Sequence, residues 1–225
     1  MKIDVLTLFP SMFDKIFEES ILKRAIEKGI VEINIHNFRE FSKDPHSSVD
    51  DTPYGGGAGM VLMCQPIFDC IKSLKTKDSV VIMLTPDGEV YKQKIASELS
   101  KEKHLILLCG HYEGFDERIK SICDRFISIG DYILTGGEIP SMVLIDSITR
   151  LLDGAITKES LENESFDNSL LDYPTYTKPR IYDGMEVPEI LISGDHQKIN
   201  AWRYKKQIEK TKQLRPDLLE DKDGE

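Results

Sequence analysis

Three apolar runs of this 225-residue chain end in glycine-bearing turns: "LTPDG" (84–88), "LCGHYEG" (108–114) and "SIGDYILTGG" (128–137). Glycine has no Cβ, so backbone N–H and C=O groups at such turns can come directly against a bound molecule. In an open α/β sheet, ligands sit beyond the carboxyl ends of the strands, where these turns converge. One turn of this kind is ordinary. Three at successive strand ends predict a single pocket.

That pocket is not built for a polyphosphate. The sequence contains no GxxxxGK[ST] and no GxGxxG opening a helix after a first strand. "YGGGAGM" (54–60) has the glycines of a phosphate cradle, but no strand precedes it and no Lys or Ser/Thr follows at the needed spacing. A backbone-lined pocket without a phosphate grip suits a nucleoside-type ligand lacking a polyphosphate, such as S-adenosylmethionine. Backbone groups of the three turns would read its adenine edge.

Carboxylates crowd the same turns. Glu113, Asp116 and Glu117 follow the second, Asp131 and Glu138 lie in the third, and Glu162, Glu164 and Asp172 come later, after Arg150. A general base must lie within hydrogen-bond reach of the proton it takes, which spacing alone does not fix. The formal charge of −10 means that most of these acids are simply solvated. One basic stretch stands out, "WRYKKQIEKTKQLR" (202–215), with Arg203, Lys205, Lys206, Lys210, Lys212 and Arg215. It reads either as a solvated helix face or as a local patch for a nucleic-acid backbone.

The elements that must position these groups follow from the patterning. "KIDVLTLF", "SVVIML", "HLILLC" and "RFISI" are short apolar runs suited to strands buried on both faces, and "VEINIHNF" alternates like a strand with one covered face. Helices are expected from Ser11 to about Lys28, over 65–74, near Lys92 to Leu99, near Asp116 to Cys123, from about Ile139 to Leu152, and from about Asp195. Strands alternating with helices imply an α/β domain with a largely parallel sheet. The polar stretch from 39 to 60 is too long for a mere connection and reads as a folded, mobile lid. Patterning fails between Gly154 and about Pro179, which reads as a linker, and the tail "EDKDGE" reads as disordered.

Hydrophobic residues make up 40% of the chain and charged residues 30%, the balance of a soluble globular protein. No apolar run approaches the roughly 18 residues of a membrane-crossing helix. With Asp4 inside the first apolar stretch, a signal peptide is not expected, and a cytoplasmic location is. Cys64, Cys70, Cys109 and Cys123 lack CxxC spacing and read as reduced, partly buried thiols. The five histidines lack zinc-site spacing.

Several blocks, "DDTPYGGGAGM", "GHYEGFDER", "SIGDYILTGGE", "DYPTYTKP" and "GMEVPEILISGDH", resemble the bacterial tRNA (guanine-N1)-methyltransferase family, TrmD, of the SPOUT methyltransferase superfamily. The similarity runs in register from "LFPSMF" to "WR" at 202–203. It implies an α/β, SPOUT-type parallel sheet with a deep C-terminal trefoil knot, plus a small, mostly helical C-terminal domain. The implied divisions are a knotted S-adenosylmethionine-binding methyltransferase domain at 1–157, a linker at 158–172 and a tRNA-binding helical domain at 173–225. It also implies a homodimer whose active sites lie at the subunit interface, with tRNA and S-adenosylmethionine as partners and no membrane.

The reaction implied by the resemblance moves a methyl group from S-adenosylmethionine to N1 of the guanine at position 37 of tRNA, beside the anticodon. The family's base lies in a "DSF" segment and is paired with an arginine at the end of the preceding helix; the matching residues are Glu164 in "ESF" and Arg150. Glutamate here stands where the family pattern has aspartate, with one residue fewer between it and Arg150. Asp172 would lie close to the target guanine. Leu84, Thr85, Pro86, Gly110, Tyr112, Glu113, Gly114, Ser128, Ile129, Gly130, Tyr132, Leu134, Gly136 and Gly137 would line the cofactor pocket. Asp50 and the glycine loop resemble a segment that closes over the site. Magnesium assists the family, and Glu113 and Glu164 are the acids expected near it. The alternatives are a SPOUT methyltransferase acting on another RNA position and a non-catalytic RNA-binding relative; a nucleotide-binding oxidoreductase is disfavoured by the missing dinucleotide fingerprint.

Overall fold

"KIDVLT" forms β1 (Lys2–Thr7), buried from Ile3 onward as its apolar run requires. The computed structural model describes residues 1–157, 164–166 and 169–220. After β1 come α1 (Ser20–Glu27), β2 (Glu32–Asn37), β3 (Asp50–Asp51), β4 (Val61–Leu62) and α2 (Cys64–Leu74). β5 (Ser79–Val90), α3 (Gln93–Leu99), β6 (His104–Leu108), β7 (Arg125–Ser128) and α4 (Glu138–Thr149) follow. Five strands make one sheet in the order β2-β1-β6-β5-β7, and every pairing in it is parallel. This is the expected α/β fold with a parallel central sheet.

Both faces of the sheet are covered. Ile3, Val5, Ile82, Leu105 and Leu107 pack against Leu22 and Ala25 of α1, Leu99 of α3 and Leu144, Ile145 and Ile148 of α4. On the other face Leu6, Val81, Met83, Ile106 and Leu108 pack against Ile67, Cys70 and Ile71 of α2. Period-two alternation divides each central strand between these two cores. All four cysteines are free thiols.

Three expectations are corrected. The helix expected from Ser11 to Lys28 is two 3₁₀ turns, Pro10–Phe13 and Ile16–Glu18, followed by α1. Glu19 is extended and Ser20 has φ +52°, which breaks helical continuity. The segment after Asp116 is likewise a 3₁₀ turn, Glu117–Ile122, capped by the Asp116 carboxylate. "TPDG" does not end its strand: Ile127 of β7 pairs with Leu84 and again with Glu89, so residues 85–88 loop out and β5 then resumes. A Cβ added to Gly88 would lie 2.4 Å from the Ile127 nitrogen, so only glycine fits where the chain rejoins the sheet.

The chain divides into two compact units, Met1–Ile156 and Thr157–Glu225. The second holds a two-stranded antiparallel hairpin, β8 (Ile181–Tyr182) and β9 (Met185–Glu186), and the long helix α5 (His196–Leu214). The Asp195 carboxylate accepts from the Lys198 N–H and caps α5 as its sequence position predicts. No helix among the described residues is long and apolar enough to cross a membrane.

Candidate active site

β6, β5 and β7 are neighbours in the sheet and run parallel, so the turns leaving Leu84, Leu108 and Ser128 emerge at one edge. They enclose a cavity of about 320 Å³ in the first unit. Leu84, Thr85 and Pro86 form one wall, Gly110, Tyr112, Glu113 and Gly114 a second, and Ser128, Ile129, Gly130, Tyr132, Leu134, Gly136 and Gly137 a third. His111, Phe115, Ile127, Ile133, Thr135 and Pro140 complete the lining. These six belong to the same turns and the adjoining β7 and α4, and their place in a shared wall was the available signal.

Local bonds hold the turns open. Ser128 Oγ accepts from the Gly130 N–H and donates to the Gly130 carbonyl, both at 3.2 Å. The Tyr132 ring lies over Gly130, where an added Cβ would come within 2.6 Å of it. The Gly137 N–H donates to the Gly110 carbonyl at 2.9 Å and joins the second and third turns. Beneath them Glu138 is buried: Oε1 accepts from Thr7 Oγ1 at 2.7 Å and Oε2 lies 3.4 Å from His111 Nε2. This acid is a tie between the end of β1, the second turn and α4, and it does not line the cavity.

The glycine loop reaches the same place. β3 pairs antiparallel with β4, Leu62 pairs with Phe115, and the Glu113 N–H donates to the Met60 carbonyl at 3.0 Å. A Cβ on Gly59 would meet the Glu113 carboxylate at 2.5 Å. Asp116 faces Arg118 instead; the hydrogen bonds from that guanidinium hold its carboxyl well below the usual carboxylate range. Among the described residues no three His, Cys, Asp or Glu side chains gather as metal ligands.

Arg150 follows α4 in the first unit, its N–H bonded to the Asp146 carbonyl at 3.2 Å. Glu164 and Asp172 belong to the second unit. There Ser165 Oγ accepts from the Asp172 N–H at 3.0 Å and brings "ESF" and "LLDYP" together. Glu162, the tail from 221 and Asp167, which the sequence offers with Asp172 as an alternative base, lie outside the described residues.

The basic stretch is partly turned inward. The Arg203 guanidinium lies 4.9 Å over the Tyr173 ring, Lys210 Nζ donates to the Asp172 carbonyl at 2.9 Å, and Arg215 lies 6.0 Å from the Phe166 ring. Lys205 and Lys206 pair with Glu209 at 3.9 and 2.7 Å. Residues 203, 207, 210 and 211 share one helical face, and from it Thr211, Lys210 and Arg203 meet Leu171, Asp172 and Tyr173 with polar side chains.

The comparisons agree across the chain. A family described as tRNA (guanine-1)-methyltransferase TrmD matches residues 1–221. A tRNA (guanine-N(1)-)-methyltransferase of Dictyoglomus turgidum is 56% identical over 221 residues, covering 98% of this chain and 90% of its own. Proteins of the same name from Malacoplasma penetrans and Clostridioides difficile are 58% and 52% identical, each match covering 97% of both chains. The chain belongs to the TrmD family of tRNA (guanine-1)-methyltransferases.

Proposed function

We infer that this chain transfers a methyl group from S-adenosylmethionine to N1 of a guanine in tRNA, the guanine at position 37 beside the anticodon. The observation that carries this reading is the cavity of bare-backbone turns from three adjoining strands, in a chain of this family. S-adenosylmethionine supplies the methyl group when bound. Its adenosine suits a cavity of about 320 Å³ that offers backbone N–H and C=O groups and no phosphate cradle. The fourteen expected residues from Leu84 to Gly137 hold it, with Asp50 and the glycine loop closing beside Glu113.

Guanine N1 carries a proton at neutral pH, so its lone pair is not free to attack. Glu164 takes that proton as general base. Charge then grows on guanine O6, and the Arg150 guanidinium opposes it. Asp172, whose N–H is held by Ser165, serves beside the target base. Magnesium takes one or two carboxylates and completes its shell with water, so Glu113 can offer one hard oxygen ligand and Glu164 another.

The 1–157 domain then has the SPOUT form, its deep C-terminal trefoil knot made from the loop within β5 and the loops that follow β6 and β7. The doubling-back strand order supports this. Residues 158–172 act as the linker and 173–225 as the tRNA-binding domain. The protein works in the cytoplasm as a homodimer with its sites at the subunit interface. Support comes from Ile139 and Val143, four residues apart on α4 and 47% and 40% exposed, with Phe9 and Met12 exposed nearby. Incubation with labelled S-adenosylmethionine and unmodified tRNA transcripts, followed by mapping of the methylated base, tests the reading. N1-methylguanine at position 37 is expected; label at any other atom or position overturns it.

A further inference from the structure

The geometry points to Thr211 and Lys210 of α5 as positioning residues that hold the segment carrying the proposed base. This rests on the assignment of Glu164 and Asp172 to the reaction. Thr211 is fully buried. Its Oγ1 donates to the Gln207 carbonyl one turn back, at 2.7 Å, which commits the hydroxyl proton and aims a lone pair away from the helix. That lone pair accepts the Leu171 N–H at 2.9 Å.

One residue before it, Lys210 Nζ donates to the Asp172 carbonyl at 2.9 Å, so the Leu171 N–H and the Asp172 carbonyl are both bound to α5. The Asp172 N–H in turn donates to Ser165 Oγ, the residue next to Glu164. Phe166 N–H donates to the Leu170 carbonyl at 2.7 Å and Leu170 is buried, which closes the segment on itself. A continuous chain of contacts thus runs from the interior of α5 to the peptide beside Glu164. Its links are directional hydrogen bonds joined through the Leu171–Asp172 backbone, so these residues are fixed in register as well as packed. The same helix face carries Arg203 against Tyr173, which anchors the far end. α5 therefore has a use of its lysine and threonine that is separate from any contact with an RNA backbone.

The test uses the full chain with three variants. Thr211→Val keeps the shape and removes both hydrogen bonds; Thr211→Ser keeps both and serves as the rescue. Lys210→Met keeps the stem and removes the donor. Single-turnover methyl transfer at saturating tRNA and S-adenosylmethionine is expected to fall about tenfold in Thr211→Val and in Lys210→Met, since a misplacement near 1 Å is costly at a reacting centre. S-adenosylmethionine affinity should be unchanged, and Thr211→Ser should restore the rate. Hydrogen exchange over residues 165–173 should be faster in Thr211→Val. Faster exchange with a wild-type transfer rate overturns the positioning role alone. A loss confined to tRNA affinity, with the saturated rate intact, makes α5 an RNA contact and overturns it also. Failure of the wild-type protein to form N1-methylguanine overturns the functional reading and this role together.

Discussion

The Gly137 N–H donates to the Gly110 carbonyl at 2.9 Å, which fastens the turn after β7 to the turn after β6 where α4 begins. Ser141 continues the arrangement by donating its N–H to the Gly137 carbonyl at 2.9 Å. A Cβ on Gly137 would lie 2.6 Å from the Cys109 Cα and 2.9 Å from the Gly110 nitrogen. Both obstacles are backbone atoms, so no change of rotamer relieves the clash. The register of this junction sets the distance between two walls of the cavity.

Gly137→Ala should therefore force the two turns apart. Overpacking of this kind destabilises by about 1–3 kcal/mol, and binding of S-adenosylmethionine should weaken at least tenfold. Calorimetric titration and thermal unfolding measure the two effects. Wild-type affinity in the alanine variant would show that the junction does not set the cavity.

Asp4 lies within β1, between β2 and β6, and is fully buried. Burial works to raise its pKa, but hydrogen bonds from His36 at 2.9 Å, Lys2 at 2.8 Å, His104 at 2.7 Å and Asn34 at 3.1 Å outweigh it. The carboxyl is held well below the usual carboxylate range. Its contribution to stability is thus complete above the unfolded pKa of about 3.9 and is lost as pH falls through the native value. Asp4→Asn should cost about 2 kcal/mol at pH 7. Urea unfolding should show that the gap from wild type is smaller at pH 3 than at pH 7; a constant gap would mean that the charge contributes nothing.

How far the sequence carried can be judged from particular residues. The three turns were legible because glycine after an apolar run has a direct conformational meaning. The resumption of β5 at Glu89 and Val90 was not, because "TPDG" reads as a turn whether the chain leaves the sheet or rejoins it. What decides is the fit of Gly88 against Ile127, a contact between residues far apart in sequence. Glu138 looked like one acid among many, since its partner Thr7 lies 131 residues away. The inward face of α5 was hidden because, after buried Ile199, it continues through Arg203, Gln207, Lys210 and Thr211. A stripe with one apolar residue carries little periodic signal.

Val143 tests the proposed homodimer. It shares an exposed apolar face with Ile139, and a charge there cannot be buried against a second copy without a partner. Val143→Glu should convert the protein to the monomer mass of 25.6 kDa in light scattering at micromolar concentration. It should also lose methyl transfer, because the site lies at the interface in this reading. A variant with the same mass and activity as wild type would remove α4 from the interface.

Glu164 carries the sharpest prediction, because it stands where the family's pattern has aspartate. Glu164→Gln keeps shape and hydrogen-bonding capacity but cannot accept the N1 proton. General-base catalysis contributes about 10²–10⁴-fold, so the single-turnover rate should fall by at least two orders of magnitude. S-adenosylmethionine affinity should hold, since the expected cavity residues all lie between Leu84 and Gly137. Glu164→Asp adds a second reading: the carboxylate retreats by about one bond length, and at a reacting centre a displacement near 1 Å costs up to about a hundredfold. A partial loss in the aspartate variant with a severe one in the glutamine variant identifies Glu164 as the base, set at its present reach by the longer side chain. Equal activity of Glu164→Gln and wild type would move the base to another carboxylate, with Asp172, held one hydrogen bond from Ser165, the next to replace.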